Sequence, residues 1–468
     1  MHRRTLLAAL AALAGTPFGR ASGQSVDGST AASRDQRRRA VWKAGVATID
    51  ITPGDSLWMA GFAARTSPSQ GTALPLHAKA LALEDGRGQL VVLVTLDLLG
   101  VTRRISQSVA DAVRDKHGVP RARLLLNASH THCGPVIDDM LSVAYDLSAE
   151  QRAAIAAYSR DLESRVVRVV GQAIERRGPA RLSWGQGEAL FAANRRVQFT
   201  PDGPVDHTVP VLRVDADADV DRSAGQPLAL VFGYACHNTT LQADFTRFHG
   251  DYAGIAQAVL ERRHPGATAM FVSGCGADAN PKPRGTVALV EQHGAALADA
   301  VDRALLALRS VASDTLAAEY ETVDLPFAPA PDRAGWMARL QDSNSDHYVR
   351  RHARLMLDML DREGKLPAVQ PEPLQVWTFG RDLTLIAIGG EVVVDYALRL
   401  RREYPDRQLW VAGYSNDVFG YVPSARVLKE GGYEGGDAMI YYGKPGPFAS
   451  PVEDVIHDAL RRMLSPSR

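Results

Sequence analysis

Short runs of unbroken apolar residues, rather than alternating ones, set the framework of this chain. Residues 89–98, 123–128, 228–236 and 267–272 are apolar almost throughout, and each empties into small or polar residues. Runs this short, bounded by turn-forming residues, read as buried strands. Residues 46–53 form a first strand stopped by Pro53, and residues 78–84 face 89–98 across Asp85-Gly86-Arg87-Gly88, a hairpin signal because an Asp-Gly turn separates two apolar arms. Between strands the period changes. Residues 103–117 carry apolar positions at helical spacing and close on Gly118, and residues 148–176 make a long amphipathic helix whose Ser148 stands three residues before Gln151, a capping box.

The same reading continues to the end of the chain. Strands are expected at 180–184, 210–214, 374–379, 383–388 and 409–413, and helices at 251–264, 287–308, 392–402 and 452–464. Residues 332–365 are charged and helical, a surface excursion or a cover over the site, and 414–440 read as loop. Strands alternating with helices predict the α/β class; the hairpin makes the sheets mixed, so the expected architecture is mixed β-sheets flanked by helices.

Composition narrows the protein class. The chain has 468 residues, 46% of them hydrophobic, with 53 acidic and 53 basic side chains, enough for a large core and against a nucleic-acid binder that works by net charge. At the amino terminus, Arg3-Arg4, the apolar stretch 6–15 and the small residues 19–23 resemble a twin-arginine export signal, expected to span residues 1–23. The polar stretch 24–40 reads as a disordered linker, and 41–468 as a single catalytic domain located in the periplasm or secreted. That signal is too short to span a bilayer, and no other run is long enough for an anchor. Cys133, Cys236 and Cys275 are too few for a disulfide scaffold. They read as small buried residues packed behind a site, with one disulfide or a metal cluster left open.

Chemistry collects where the apolar runs end. The run 123–128 opens into Ser129-His130-Thr131-His132-Cys133-Gly134-Pro135, the run 228–236 is followed by His237, and 383–388 leads through Gly389-Gly390 to Glu391. Residues two apart on extended backbone share a face, so both imidazoles of His130 and His132 are expected to point at one spot. Two imidazoles and a carboxylate are a recurrent catalytic zinc set. Singly, each has a plainer reading, for instance Glu391 as a cap on the helix expected from residue 392. Asp251 and Asp278 are candidates for supporting the site from behind.

In order, these residues resemble the neutral ceramidases, zinc amidases that cleave the N-acyl bond of ceramide. Ser-His130-Thr-His132-Cys-Gly-Pro is similar to the family's Thr-His-Thr-His-Ser-Gly-Pro, Asn194-Arg195 to its Asn-Arg, Ala235-Cys236-His237-Asn238-Thr239 to its second histidine motif, and Gly389-Gly390-Glu391 to its Pro-Gly-Glu. Gly420-Tyr421-Val422 and Gly432-Tyr433-Glu434-Gly435-Gly436 resemble its paired tyrosines. The resemblance implies one Zn2+ ion held by His130, His237, Glu391 and Tyr421, with His132, Arg195 and Tyr433 around the substrate carbonyl; it moves His132 from the metal to the substrate side.

Two departures change what it implies. Asn280, in Ala277-Asp278-Ala279-Asn280-Pro281, stands where the family has a catalytic serine. An amide is no nucleophile but can donate to an oxyanion, so the expected chemistry rests on metal-activated water. The ceramidases also carry a carboxyl-terminal immunoglobulin-like domain, whereas this chain stops one helix after Tyr442, so the expected match is to the catalytic domain alone. The expected activity is hydrolysis of an N-acyl amide, ceramide or a smaller N-acyl compound. A zinc esterase or lactonase and a non-catalytic lipid-binding relative are the alternatives.

Overall fold

The computed structural model describes residues 42–216 and 227–465; the expected signal and linker lie outside the described residues. Along the chain the strands are β1 (Trp42–Asp50), β2 (His77–Glu84), β3 (Leu90–Leu96), β4 (Leu124–Ala128), β5 (Gly178–Glu188), β6 (Ala192–Asn194), β7 (Thr208–Ala216), β8 (Pro227–Tyr234), β9 (Thr268–Ser273), β10 (Ala279–Pro281), β11 (Arg309–Ser310), β12 (Leu316–Pro326), β13 (Val369–Phe379), β14 (Leu383–Ile388), β15 (Glu391–Val392), β16 (Leu409–Ala412) and β17 (Tyr421–Val422). The helices are α1 (Arg103–His117), α2 (Ala149–Glu175), α3 (Asp251–Arg263), α4 (Val287–Leu305), α5 (Arg333–Gln341), α6 (His347–Glu363), α7 (Asp395–Glu403), α8 (Ala425–Glu430), α9 (Gly432–Gly435) and α10 (Val452–Leu464).

A large mixed sheet runs β4-β3-β2-β1-β5-β7-β8-β9, with β11 on β5, and a second runs β12-β13-β14-β16. The hairpin β2–β3 is antiparallel as the Asp-Gly turn requires, whereas β3–β4, β8–β9 and β14–β16 are parallel. The two sheets pack face to face: Leu83, Leu93, Trp184 and Met270 of the first meet Trp377, Leu385 and Trp410 of the second. Behind the large sheet, Val92, Val94 and Leu126 pack on α1 and α2 through Ile105, Val109 and Val166, while Phe232 and Phe271 pack on α3 and α4 through Leu260 and Leu297. Val376, Ile386 and Val411 turn the outer face of the second sheet towards Leu400 of α7 and Ile456 and Leu460 of α10.

This order of helices, sheet, sheet, helices accounts for the unbroken apolar runs. In β3, residues 91 and 93 face the other sheet and residues 92 and 94 face the helices, so neither face is left for polar side chains. Removing one such side chain, for example by Leu93→Ala, opens a cavity worth about 2–5 kcal/mol.

The caps fall where the sequence puts them. Ser148 and Gln151 form the capping box, and Gly118 closes α1 in the left-handed conformation. Several expectations need correction. β12 was not anticipated: it is an edge strand that carries exposed acids, Glu319 and Asp324, which hides its pattern, yet it pairs with β13 along eleven residues. The excursion 332–365 is two helices, parted at Asp342-Ser343-Asn344-Ser345-Asp346. The helix expected from residue 392 starts at Asp395, so Glu391 is no cap; it begins β15 instead. All three cysteines are free and buried, which removes the disulfide, and burial pushes the thiol of Cys133 up to about 12.

The carboxyl ends of the sheets meet at Asn127, which is fully buried. Its amide donates to Gly413 O at 2.8 Å and Ser415 Oγ at 3.1 Å, and its oxygen accepts from Ser273 N at 2.8 Å. One side chain thereby ties β4 and β9 of the first sheet to the segment after β16 of the second, at the crevice where open α/β sheets place their chemistry.

Candidate metal centre

The backbone delivers the functional side chains in pairs, each pair stitched by a very short bridge. Thr131 bridges Asn238, which sets His130 and His132 beside His237. β15 and β17 pair in parallel with Glu391 opposite Tyr421. β6 and β10 pair with Ala193 opposite Asn280, and Arg195 N donates to Asp278 O at 2.8 Å. Simple strand alternation does not bring the two histidines of the motif together, because β4 ends at Ala128 and His130 has a φ of 58°. A left-handed turn directs them instead, and their Nε2 atoms still come within 3.3 Å.

His130, His132 and His237 each offer a ring nitrogen, all within 4.8 Å of one another, so three histidines could hold a metal ion. Glu391 joins them, its Oε2 lying 3.1 Å from both His130 Nε2 and His237 Nε2. That oxygen is buried and makes no hydrogen bond despite the two close nitrogens. Ring nitrogens crowded round a buried, unpaired carboxylate oxygen are what a cation site requires.

The atoms behind the donors distinguish the histidines. His130 Nδ1 lies 2.6 Å from Leu99 O, and His237 Nδ1 3.0 Å from Gly276 O. Each Nδ1–H therefore donates to a carbonyl, leaving Nε2 as a lone pair in the manner of metal-binding imidazoles. His132 Nδ1 has no partner, and its ring is held by Phe62 at 4.7 Å and by Gly61, where a Cβ would lie 2.3 Å from Nδ1. Tyr442 donates its hydroxyl to Glu391 Oε1, fixing the carboxylate from the other side.

Charge is divided sharply. Burial and the neighbouring Arg195 push His237 down to about 4, and burial holds His132 well below the usual imidazole range, so both are neutral at pH 7. Burial works to raise Glu391, but the imidazoles of His130 and His237 outweigh it and hold the carboxyl well below its ordinary value. The centre thus presents the neutral nitrogens of His132 and His237 beside an ionised carboxylate oxygen, a donor set that fits a transition-metal ion.

Arg195 completes the site. Its Nε donates to Glu434 Oε1 at 2.6 Å and its Nη2 to Tyr421 Oη at 2.9 Å; Tyr421 Oη lies 3.3 Å from His237 Nε2. Glu434 also pairs with Arg196, fully buried, which Glu430 holds at 2.9 Å. The ring of Tyr433 stands 5.4 Å from that of Tyr421 and 5.6 Å from the Arg195 guanidinium.

Asn280 is placed differently: its Oδ1 accepts from Thr239 Oγ1 at 3.4 Å, and it does not line the cavity over Glu391. Asp278 Oδ1 accepts from Val394 N at 2.9 Å, and Asp251 accepts from Thr240 N and Leu241 N at 3.1 and 2.8 Å, so both carboxylates brace loops that carry site residues. Tyr442 and Glu434 went unassigned in the sequence, and the one signal for Glu434 was an acid directly after Tyr433. Tyr414, whose ring lies tilted 4.3 Å from that of His130, gave no signal.

Fold and site together define a layered α/β protein with a buried His/His/Glu centre of the kind that holds a metal, flanked by a fixed guanidinium. Residues 42–285 match the family model described as neutral/alkaline non-lysosomal ceramidase, N-terminal, and the chain belongs to that family. Among solved structures, it resembles the neutral ceramidase from Pseudomonas aeruginosa at a TM-score of 0.68 and 19% identity, over 92% of this chain and 76% of that one. A structure titled as ceramidase complexed with C2 aligns at 0.67 and 17% identity, with the same coverage. No curated protein sequence matches the chain. Its family and fold are those of ceramide-type hydrolases.

Proposed function

We propose that the protein is an exported, zinc-dependent amidohydrolase that cuts a linear N-acyl amide, ceramide or a smaller N-acyl compound, with His130, His237, Glu391 and Tyr421 as the ligands of one ion. The observation that carries this reading is the convergence of two carbonyl-anchored imidazoles on the unbonded Oε2 of Glu391. Zinc bound there would polarise the scissile carbonyl and bring the pKa of water near neutrality.

The chain's own residues supply the rest. Arg195, fixed by Glu434, directs its charge to the carbonyl oxygen, where negative charge develops during attack. Tyr433 adds a neutral hydroxyl donor on the same side. His132, neutral and free of any bond at Nδ1, takes the proton from the attacking water at Nε2 and returns it to the leaving nitrogen. Asn280 supplies no nucleophile, which leaves water as the attacking group. Export rests on the Arg3-Arg4 signal and is checked by cell fractionation.

Elemental analysis with turnover tests the whole reading. Metal-loaded protein should hydrolyse a ceramide-type amide and stop when a chelator is added. His130→Ala and His237→Ala should lose the metal, whereas His132→Ala should keep it and lose about 10²–10⁴-fold in turnover. Stoichiometric zinc in both of the first two variants, or turnover of matched esters but not amides, would overturn it.

A further inference from the structure

Nothing bonds Nδ1 of His132, so its ring is placed by what packs against it: Gly61, where a Cβ would lie 2.3 Å from Nδ1, and Phe62, whose ring stands 4.7 Å away. Both belong to a short turn between Met59 and Arg65. The chain enters that turn antiparallel to the histidine loop. Met59 bridges Pro135, Ala60 N donates to Gly134 O at 2.9 Å, and Val136 N donates to Trp58 O at 2.7 Å.

Beyond Ala60 one side chain replaces this backbone pairing. Arg65 is only 6% exposed; its Nη1 donates to Ala60 O and to His132 O, both at 2.8 Å, and its Nη2 to Phe245 O at 3.3 Å. Among the described residues no backbone N–H donates to any of these three carbonyls. The guanidinium also stands 5.1 Å from the centre of the Phe62 ring. One nitrogen thus ties the carbonyl before Gly61 to that of His132 itself, so the imidazole and the turn that walls it share an anchor. No carboxylate among the described residues bonds Arg65; Asp244 acts on it only through space, and more weakly than burial. A cation buried without an acid is costly unless its donors are satisfied, and a planar fork of donors bridges carbonyls from separate segments in a way that an ammonium or an amide does not reproduce.

We propose that Arg65 is a positioning residue for His132: by holding Ala60 O and His132 O together it keeps Gly61 and Phe62 against the imidazole, which then stands where proton transfer needs it. This rests on the amidohydrolase reading above. Arg65 touches neither substrate nor any residue proposed to hold the metal, so its removal should slow the chemical step and leave the ion in place.

The test compares Arg65→Met and Arg65→Lys. Misplacement of a reacting group by about 1 Å costs about 10²-fold, so kcat should fall about 10²-fold in Arg65→Met, with KM and zinc content little changed. Arg65→Lys, which restores a cation able to reach the nearer carbonyls, should recover part of that loss, and it decides alone if the methionine variant does not fold. In a His132→Ala background Arg65→Lys should add almost nothing. Nuclear magnetic resonance of protein carrying isotope-labelled histidine supplies a readout without turnover: the Cε1–H signal of His132, assigned with His132→Ala, should shift and broaden in Arg65→Lys while those of His130 and His237 stay. Losses that add in the His132→Ala background, zinc lost together with turnover, or an unchanged His132 signal in folded Arg65→Lys would overturn the proposal. If the parent turns over no amide but the His132 signal alone responds, Arg65 still places His132 and the amidohydrolase reading falls.

Discussion

Glu434 shows how much of the site is made by residues that touch no substrate. Its two oxygens hold Arg195 and Arg196, one at the centre and one fully buried. Arg195 reaches Tyr421 only because its Nε is pinned. Glu434→Gln keeps the shape and removes the charge, so kcat should fall about 10–10²-fold with KM little changed. In an Arg195→Lys background the same substitution should add almost nothing. Additive losses in steady-state kinetics would make Glu434 a merely structural residue. The residues that the structure gathers at the centre, His130, His237 and Glu391, stood out in the sequence because a polar residue after a buried apolar run has few bland explanations; Glu434 and Tyr442 did not, since their partners lie 239 and 51 residues away.

Among the elements, the shortest strands matter most to the site. β15 and β17 have two residues each, too few for any sequence pattern, yet they set Glu391 beside Tyr421. The turn before β15 is held at every residue: Gly389 N donates to Glu372 Oε1, Gly390 N to Asp417 O and Glu391 N to Gly420 O, each at 2.7 Å. Gly390 has a φ of 67°, and a Cβ there would lie 2.6 Å from Val422 and 2.9 Å from Gly420 O. Gly390→Ala should therefore cost about 1–3 kcal/mol in denaturant unfolding and weaken metal retention. Stability and metal content equal to the parent's would show that the turn does not set Glu391. Helices α1 and α10 were legible to the residue, since each combines one apolar face with a clear stop. β12 was not, because an exposed edge strand carries charges where a buried one cannot.

Over the whole molecule, the crevice between the sheets carries an electrostatic burden. Burial, against the pull of Lys444 and Arg103, raises the carboxyl of Asp417 from 3.8 to about 6. The folded protein therefore binds this proton more tightly than the unfolded chain. Its contribution is neutral below the unfolded value and becomes increasingly destabilising as the pH rises to about 6, then levels off. A rise of that size amounts to about 3 kcal/mol. Asp417→Asn removes it, so the stability of the variant relative to the parent should improve by about 2–3 kcal/mol between pH 4 and pH 7 in chemical denaturation. A difference that stays flat with pH would place the cost elsewhere. The layer order itself was only half legible. Apolar runs announced strands covered on both faces, but nothing local says that one of those covers is a second sheet.

The bridge from Thr131 to Asn238 and the pairing of Glu391 with Tyr421 join stretches that lie far apart in the chain. An unfolded chain therefore has no coordination sphere to offer, and an ion can be captured only once both sheets have closed. Seated there, it would act as a rivet between them, adding about 4 kcal/mol when its free concentration is a thousandfold above the dissociation constant. The melting temperature then becomes an occupancy gauge, readable before any substrate is in hand.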